Sequence, residues 1–362
     1  MGTGRTWLRS NGSFIATLMV SAACTSCGST SRTSLAADGG AGSAASGAAS
    51  SSLNAGAGSG AGGGSGQPTT SGGTSTGGDA ASTPAADAAI TDAGATAEGG
   101  ASPSSGCGGT SWPTASPQTI NVTDKANNTI VRQFYFGLPA AYSPAHPYPL
   151  VFAWHYAGGE ASTIAGTGFT GNYYGIQPNL PNAIYVAPQG MQGPPMADGA
   201  PGVTGWPNTD DQDIAFARAM VSWFETNFCI DQSRLMSTGF SYGGIMSHTI
   251  ACEMPDVFRA IGVMSGALIE PASNCVNHDI AAWITHGDAD TTLPYADGVS
   301  ALDRIVALDH CGSTTSPVAP SPCVQYASCD TGEPVIWCPV GGEGHAIPTF
   351  AASAIATFFA QF

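Results

Sequence analysis

The sequence predicts an α/β domain, a mostly parallel central sheet flanked by helices, with an antiparallel hairpin at its N-terminal end. Three observations predict it. Short continuous apolar runs, Leu150–Trp154, Ala183–Ala187 and Ala260–Met264 among them, read as strands buried on both faces. Segments with apolar residues at three- and four-residue spacing alternate with those runs, as helices laid on a parallel sheet do. About 250 residues, from Cys107 to Phe362, carry nearly all of the aromatic side chains, enough for one such domain.

The first part of the chain reads differently. Arg5 and Arg9 form a positive start, Phe14–Val20 a short apolar stretch, and Ser21-Ala22-Ala23 small residues after it. That pattern predicts a signal peptide over residues 1–27, too short to span a membrane. Its end, before Cys24, also resembles a bacterial lipoprotein processing site, with Cys24 as the lipidated residue and Ser21 where Leu or Val is usual. Plain secretion with cleavage nearby is the alternative. Residues 28–106 are almost entirely Gly, Ala, Ser and Thr. Such a segment has too little apolar surface to offset its ordering entropy, so it is expected to be a flexible linker. A lipid on Cys24 would make it a tether between membrane and domain.

The net charge is −16, and beyond position 106 the cations are Lys125 and five arginines. Phosphate contacts dominate nucleic-acid affinity, so a nucleic-acid partner is not expected. Cys107, Cys229, Cys252, Cys275, Cys311, Cys323, Cys329 and Cys338 are scattered through the domain. They form no C-x-x-C pairs with matching histidines, which argues against zinc; in an exported chain they predict up to four disulfides, with no pairing assignable.

Within the domain, Gln118–Val122 and Ile130–Leu138 flank Asn127-Asn128 and read as the hairpin. Pro144, Pro147 and Pro149 break the chain before the strand Leu150–Trp154. That strand ends in His155-Tyr156-Ala157-Gly158-Gly159, where small residues let backbone amides approach a ligand. The loop supplies His155 and Tyr156 as substrate-binding candidates, and the amide of Tyr156 or Ala157 as an oxyanion donor; an ordinary glycine-rich turn is the alternative.

After the strand Ala183–Ala187 comes a Pro/Gly-rich loop, Pro188 to Gly205, long enough to suggest function. It leads to Trp206, expected as a substrate platform or, failing that, packed on the core. Asp210-Asp211-Gln212-Asp213 are expected to cap a helix, with carboxylates at its positive end, and Ile214, Ala217, Val221, Phe224 and Phe228 to line its inner face.

The stretch Leu235–Phe240 is a strand, followed by Gly239-Phe240-Ser241-Tyr242-Gly243 and an apolar helix start. G-x-S-x-G between strand and helix is the nucleophile elbow. The turn excludes Cβ atoms on either side of Ser241, and the Tyr242 amide is left at a helix N-terminus, where it can bind an oxyanion. His248 lies about two helical turns further on and is expected to pack.

The strand Ala260–Met264 precedes Ile280–Thr285, which ends in His286-Gly287-Asp288-Ala289-Asp290. Asp288 and Asp290 compete as the acid of a triad, and His286 is expected to pack or bond locally. A helix from Tyr295 to Leu308, a Pro/Ser-rich insertion with three cysteines, and the strand Pro334–Cys338 follow. His345, in the Gly-rich loop before an apolar C-terminal helix, stands where a general base belongs.

The chain order serine, acid, histidine is that of the α/β-hydrolase fold, and each member follows a predicted strand. Neutral serine needs a base, so Ser241 would give its proton to His345; the acid would fix the tautomer of His345 and stabilise its imidazolium.

From Cys107 to Phe362 the sequence resembles the feruloyl esterases of carbohydrate esterase family 1, type D included, with polyhydroxybutyrate depolymerase-like and acetylxylan esterases close by. The resemblance is carried by Trp206–Phe216, Gly239–Gly244, Phe258–Gly266, His286–Asp290 with Pro294-Tyr295, and Cys329–Cys338 with Gly344-His345 and Phe358-Phe359. It implies Asp290 as the acid, and no metal or cofactor. Tyr156 departs from it, standing where such loops carry Gly.

The expected function is a secreted or lipid-anchored serine esterase, a monomer, that releases ferulate from plant cell-wall polysaccharide. Acetylxylan and polyhydroxybutyrate esters are the rival substrates. A non-catalytic polysaccharide-binding surface lipoprotein is the rival of another class.

Overall fold

The computed structural model describes residues 101–195, 200–275 and 280–362. The expected signal peptide, Cys24 and nearly all of the linker lie outside them. Twelve strands are formed in chain order. They are β1 (Gln118–Thr123), β2 (Thr129–Gly137), β3 (Tyr148–Trp154), β4 (Ile184–Pro188), β5 (Met191–Gln192), β6 (Thr204–Gly205), β7 (Ile230–Phe240), β8 (Ala260–Met264), β9 (Ala281–Gly287), β10 (Thr315–Pro317), β11 (Val324–Tyr326) and β12 (Val335–Val340). The helices are α1 (Ala161–Ala165), α2 (Gln212–Asn227), α3 (Tyr242–Glu253), α4 (Tyr295–Leu308) and α5 (Ala351–Phe359).

Ten strands make one sheet in the order β1-β2-β4-β3-β7-β8-β9-β12-β11-β10. The run from β4 to β12 is parallel throughout; β1, β2, β10 and β11 add antiparallel edges. Every residue of β3, β4, β8 and β9 is buried, as the apolar runs require when helices cover both faces. The core is accordingly two layers. Phe134, Phe152, Phe216, Phe224 and Phe258 belong to one, and Tyr185, Trp283, Phe358 and Phe359 to the other.

Two local differences from expectation have clear causes. The third strand begins at Tyr148 rather than after the prolines, because Pro149 occupies a register irregularity where no ladder N–H is needed. The loop after β4 is not wholly irregular: β5 and β6 pair as a short ribbon. A third feature has no sequence signal. Asn172, Tyr173 and Tyr174 form a left-handed turn with φ of 50°, 54° and 61°. Left-handed backbone costs about 1–2 kcal/mol per residue. Here both tyrosine rings are buried, and the Tyr174 hydroxyl donates to the Trp154 carbonyl at 2.7 Å, which offsets that cost.

Four disulfides join Cys107 to Cys229, Cys252 to Cys275, Cys311 to Cys329, and Cys323 to Cys338. The first ties the start of the domain to the end of α2. The last two pin the β10–β11 insertion to itself and to β12.

Asp213 and Asn208 cap the helix start reciprocally: Asp213 Oδ2 accepts the Asn208 amide at 2.7 Å, and Asn208 Oδ1 accepts the Asp213 and Ile214 amides at 3.2 and 3.3 Å. The Asp213 carboxylate is fully buried and paired with Arg132, Nη2 to Oδ1 at 2.8 Å. A first-turn acid is usually exposed; this one faces the sheet because β2 delivers a guanidinium to it.

Candidate active site

The elbow is built by exclusion. Ser241 has φ 57° and ψ −118°, a strained conformation for a residue with a Cβ. A Cβ on Gly239 would meet the Gly243 carbonyl carbon at 2.3 Å, and one on Gly243 would meet the Trp154 oxygen at 2.0 Å. The turn therefore fits between β3 and β7 only with glycine at both positions. The Ser241 amide donates to the Met264 carbonyl at 3.0 Å, and its own carbonyl accepts from Ile245 at 2.9 Å. The serine is thus fixed from β8 on one side and from the first turn of α3 on the other.

Of the two acids, Asp290 is the one bonded to His345. Its Oδ2 lies 2.7 Å from His345 Nδ1, and its Oδ1 accepts the Thr292 and Leu293 amides at 2.8 and 3.0 Å. Burial raises the Asp290 carboxyl, but hydrogen bonds from His286 and His345, together with the charge of His345, outweigh it and hold the group well below the ordinary carboxylate range. Asp288 points elsewhere: its Oδ1 accepts the Gly342 amide at 2.6 Å and so braces the loop that carries His345. The Ala289 amide adds a second brace, to the Glu343 carbonyl at 3.0 Å.

His345 stacks on Phe240, ring centroids 4.8 Å apart, and Phe240 in turn meets Tyr156 at 6.2 Å. Phe240, the first variable residue of the elbow motif, escaped the sequence reading. Its place beside Ser241 was the available signal.

The loop after β3 is held from beneath by His155. That ring is fully buried; Nε2 accepts the Gly190 amide at 2.9 Å, and Nδ1 lies 2.8 Å from the Tyr156 carbonyl. An amide must donate and a carbonyl must accept, so the proton sits on Nδ1. Desolvation lowers the His155 pKa from 6.5 to about 4, keeping the ring neutral. His155 is therefore not a substrate-binding residue: no face of it reaches solvent. Trp206 is corrected in the same way. It is 2% exposed, packs edge-on against Trp154 at 4.9 Å, and donates Nε1–H to the His155 carbonyl at 2.8 Å. The aromatic ring at the loop end was needed to lock the loop, not to meet a ligand.

With the His155 and Tyr156 carbonyls occupied, the amides of Tyr156 and Ala157 find no protein acceptor among the described residues. The Tyr156 and Ala157 side chains are half-buried, and Tyr156 remains at the surface of the site. The Tyr242 amide opens α3 directly after Ser241. His248 is buried on α3, and no described group of three or more His, Cys, Asp or Glu side chains is arranged to hold a metal ion.

Serine on an elbow, histidine on the β12 loop and a carboxylate bonded to that histidine are the parts of an acyl-transfer site. The chain is 33% identical to feruloyl esterase D of Neurospora crassa over 258 residues, which cover 67% of this chain and 82% of that protein. The chain belongs to the feruloyl esterase family. It is a serine esterase. A second member, feruloyl esterase C of Emericella nidulans, is 32% identical over 58% of this chain and 71% of its own length. The model of the prolyl oligopeptidase family, peptidase S9, matches residues 204–268, from β6 through the elbow to the loop after β8. Among solved structures, an acetyl xylan esterase from Aspergillus awamori is 18% identical with a TM-score of 0.48, covering 68% of this chain and all of the other.

Proposed function

We propose that this feruloyl esterase family member hydrolyses hydroxycinnamate esters of plant cell-wall polysaccharide. Ser241 attacks the ester carbonyl while His345 takes its proton. The oxyanion is held by the amide of Tyr242 and that of Tyr156 or Ala157, a type of contact worth about 3 kcal/mol per donor. The bond from the carbonyl carbon to the sugar oxygen then breaks as His345 protonates that oxygen, leaving the feruloyl group esterified to Ser241. Water, deprotonated by His345, releases ferulate and restores the serine. Asp290 stays ionised throughout and holds the His345 tautomer.

The observation that carries the catalytic part is the 2.7 Å contact of His345 with Asp290, on a His345 ring that packs 4.8 Å from Phe240, the neighbour of a strained Ser241. The acyl preference is supported by the identity to feruloyl esterase D along most of that protein's length. The chain around the domain fits an extracellular task. We read residues 1–27 as an export segment whose signal ends before Cys24, with that cysteine as the lipid attachment point, residues 28–106 as a tether, and residues 107–362 as a monomeric catalytic domain. No helix of the described residues is long and apolar enough to cross a membrane.

The test is a substrate panel on the full chain: methyl ferulate, acetylated xylan and a short hydroxybutyrate ester. Fastest release from methyl ferulate supports the reading. Preference for either of the other two assigns the same triad to a different acyl group, and inactivity on all three removes the catalytic reading. Mass analysis of the exported chain, before and after alkaline hydrolysis of ester-linked acyl chains, tests the anchor: acyl masses lost from a chain that begins at Cys24 support it, and an unmodified or missing Cys24 removes it.

A further inference from the structure

His286 stands at the end of β9 with its side chain fully buried. Its Nε2 lies 2.9 Å from the Leu293 carbonyl oxygen and 3.3 Å from Asp290 Oδ2. Both neighbours accept, so the proton is on Nε2 and one N–H is shared between them. The other nitrogen, Nδ1, is buried with no hydrogen-bond partner among the described residues. A buried polar atom left unmade is destabilising, so an apolar ring of the same shape would suit the strand end better unless the Nε2 donor has a task.

The surroundings fix the ring in place. A Cβ on Gly298 would lie 2.3 Å from His286 Nδ1, so α4 carries an interior glycine where the imidazole passes, against its own helical preference. The Tyr295 ring meets the imidazole edge-on at 6.0 Å. Leu293, whose carbonyl takes the His286 proton, gives its own amide to Asp290 Oδ1. His286 and Leu293 therefore grip the two oxygens of one carboxylate.

We infer that His286 is a positioning residue of the triad: its Nε2–H fixes the rotation of the Asp290 carboxylate so that Oδ2 stays in line with His345 Nδ1. The inference rests on the reading of Ser241, Asp290 and His345 as the triad. Asp290 then has three close donors, the Thr292 and Leu293 amides on Oδ1 and His345 on Oδ2, with His286 Nε2 a further 3.3 Å neighbour of Oδ2. Without His286, Oδ2 keeps His345 alone, so that oxygen is held only by the histidine it is meant to orient.

The test measures the second-order rate at which a fluorophosphonate modifies Ser241 in the full chain. That reaction needs the activated serine but no particular acyl pocket, so it is independent of the ferulate assignment. Loss of a hydrogen bond to a charged group predicts a rate about 10- to 100-fold slower in His286→Phe. His286→Gln keeps an N–H donor and is expected to stay within about threefold of the wild type by the same reasoning. Added to Asp290→Asn, His286→Phe is expected to slow labelling by less than about twofold, because coupled residues are not additive. Should His286→Phe not yield folded protein, His286→Asn, whose donor is too short to reach Oδ2, takes its place. Wild-type rates in that variant, failure of Gln to restore the rate, or full additivity with Asp290→Asn would each overturn the inference. A wild-type chain that does not label at Ser241 would instead remove the triad reading on which the inference stands.

Discussion

Asp290 Oδ2 lies 2.7 Å from His345 Nδ1, whereas Asp288, two residues earlier, bonds the backbone of the His345 loop. The two acids should therefore respond differently to loss of charge. Asp290→Asn places an amide opposite Nδ1 and favours the wrong tautomer, so kcat is expected to fall by about 10³- to 10⁴-fold. Asp288→Asn keeps an acceptor for the Gly342 amide and is expected to fall by less than about tenfold. Initial rates on methyl ferulate for both variants check the pair; equal losses would reassign the acid.

Gly243 has no room for a methyl group, because its Cβ would stand 2.0 Å from the Trp154 oxygen. Backbone must move at the elbow itself, so Gly243→Ala is expected to destabilise by about 3 kcal/mol. Gly342 has φ 73° and open space around its Cβ position, so Gly342→Ala meets strain alone and is expected to lose about 1 kcal/mol. Urea unfolding midpoints of the two variants measure the difference.

His155 gives the fold a pH dependence of definite sign. Desolvation lowers its pKa from 6.5 to about 4, so between those values the native state binds fewer protons than the unfolded chain. Its stabilisation is whole above pH 6.5 and is lost as pH falls toward 4, by about 3 kcal/mol in total. Asp290, held below its ordinary range, loses its contribution only beneath the unfolded carboxylate pKa of 3.8, outside that window. Unfolding free energies at pH 7 and pH 4.5 should show a steep fall in the wild type and a flatter one in His155→Gln. Parallel slopes would remove His155 as the source.

The Arg132–Asp213 pair is buried on both sides, and the guanidinium also lies 4.2 Å from the Phe216 ring centroid. Burial raises the Asp213 carboxyl while Arg132 pulls it back down. Arg132→Met leaves that carboxylate without its partner and is expected to destabilise by about 3–5 kcal/mol. The double variant Arg132→Met with Asp213→Asn removes the stranded charge and should recover much of the loss. Chemical denaturation of the three chains decides it.

Much of this was legible in the sequence, for a physical reason. Buried parallel strands must be apolar along their whole length, so Leu150–Trp154, Ala183–Ala187 and Ala260–Met264 announced themselves. The elbow needs glycine where Cβ atoms would collide, so Gly239 and Gly243 marked Ser241. His345 was placed by chain order and by the loop that bears it. What failed was exposure. Trp206 and His155 end and begin two different Gly-rich loops, and nothing local tells a ring that supports a loop from one that faces solvent. That depends on how the loops meet: the Gly190 amide bonds the His155 ring, and Trp206 packs on Trp154 and bonds the His155 carbonyl. His286 and Asp288 were visible as types, but their tasks arise only when the β9 and β12 loops meet. Arg132 and Asp213, 81 residues apart, gave no sign of each other.

The central claim is that Ser241 attacks a hydroxycinnamoyl ester. The most direct measurement is the initial rate of ferulate release from methyl ferulate by the wild-type chain and by Ser241→Ala, side by side at equal folded concentration. A fall of at least about 10⁴-fold in the variant is predicted, since the triad acts as a unit around its nucleophile. Release that continues in Ser241→Ala at a rate near that of the wild type would contradict it.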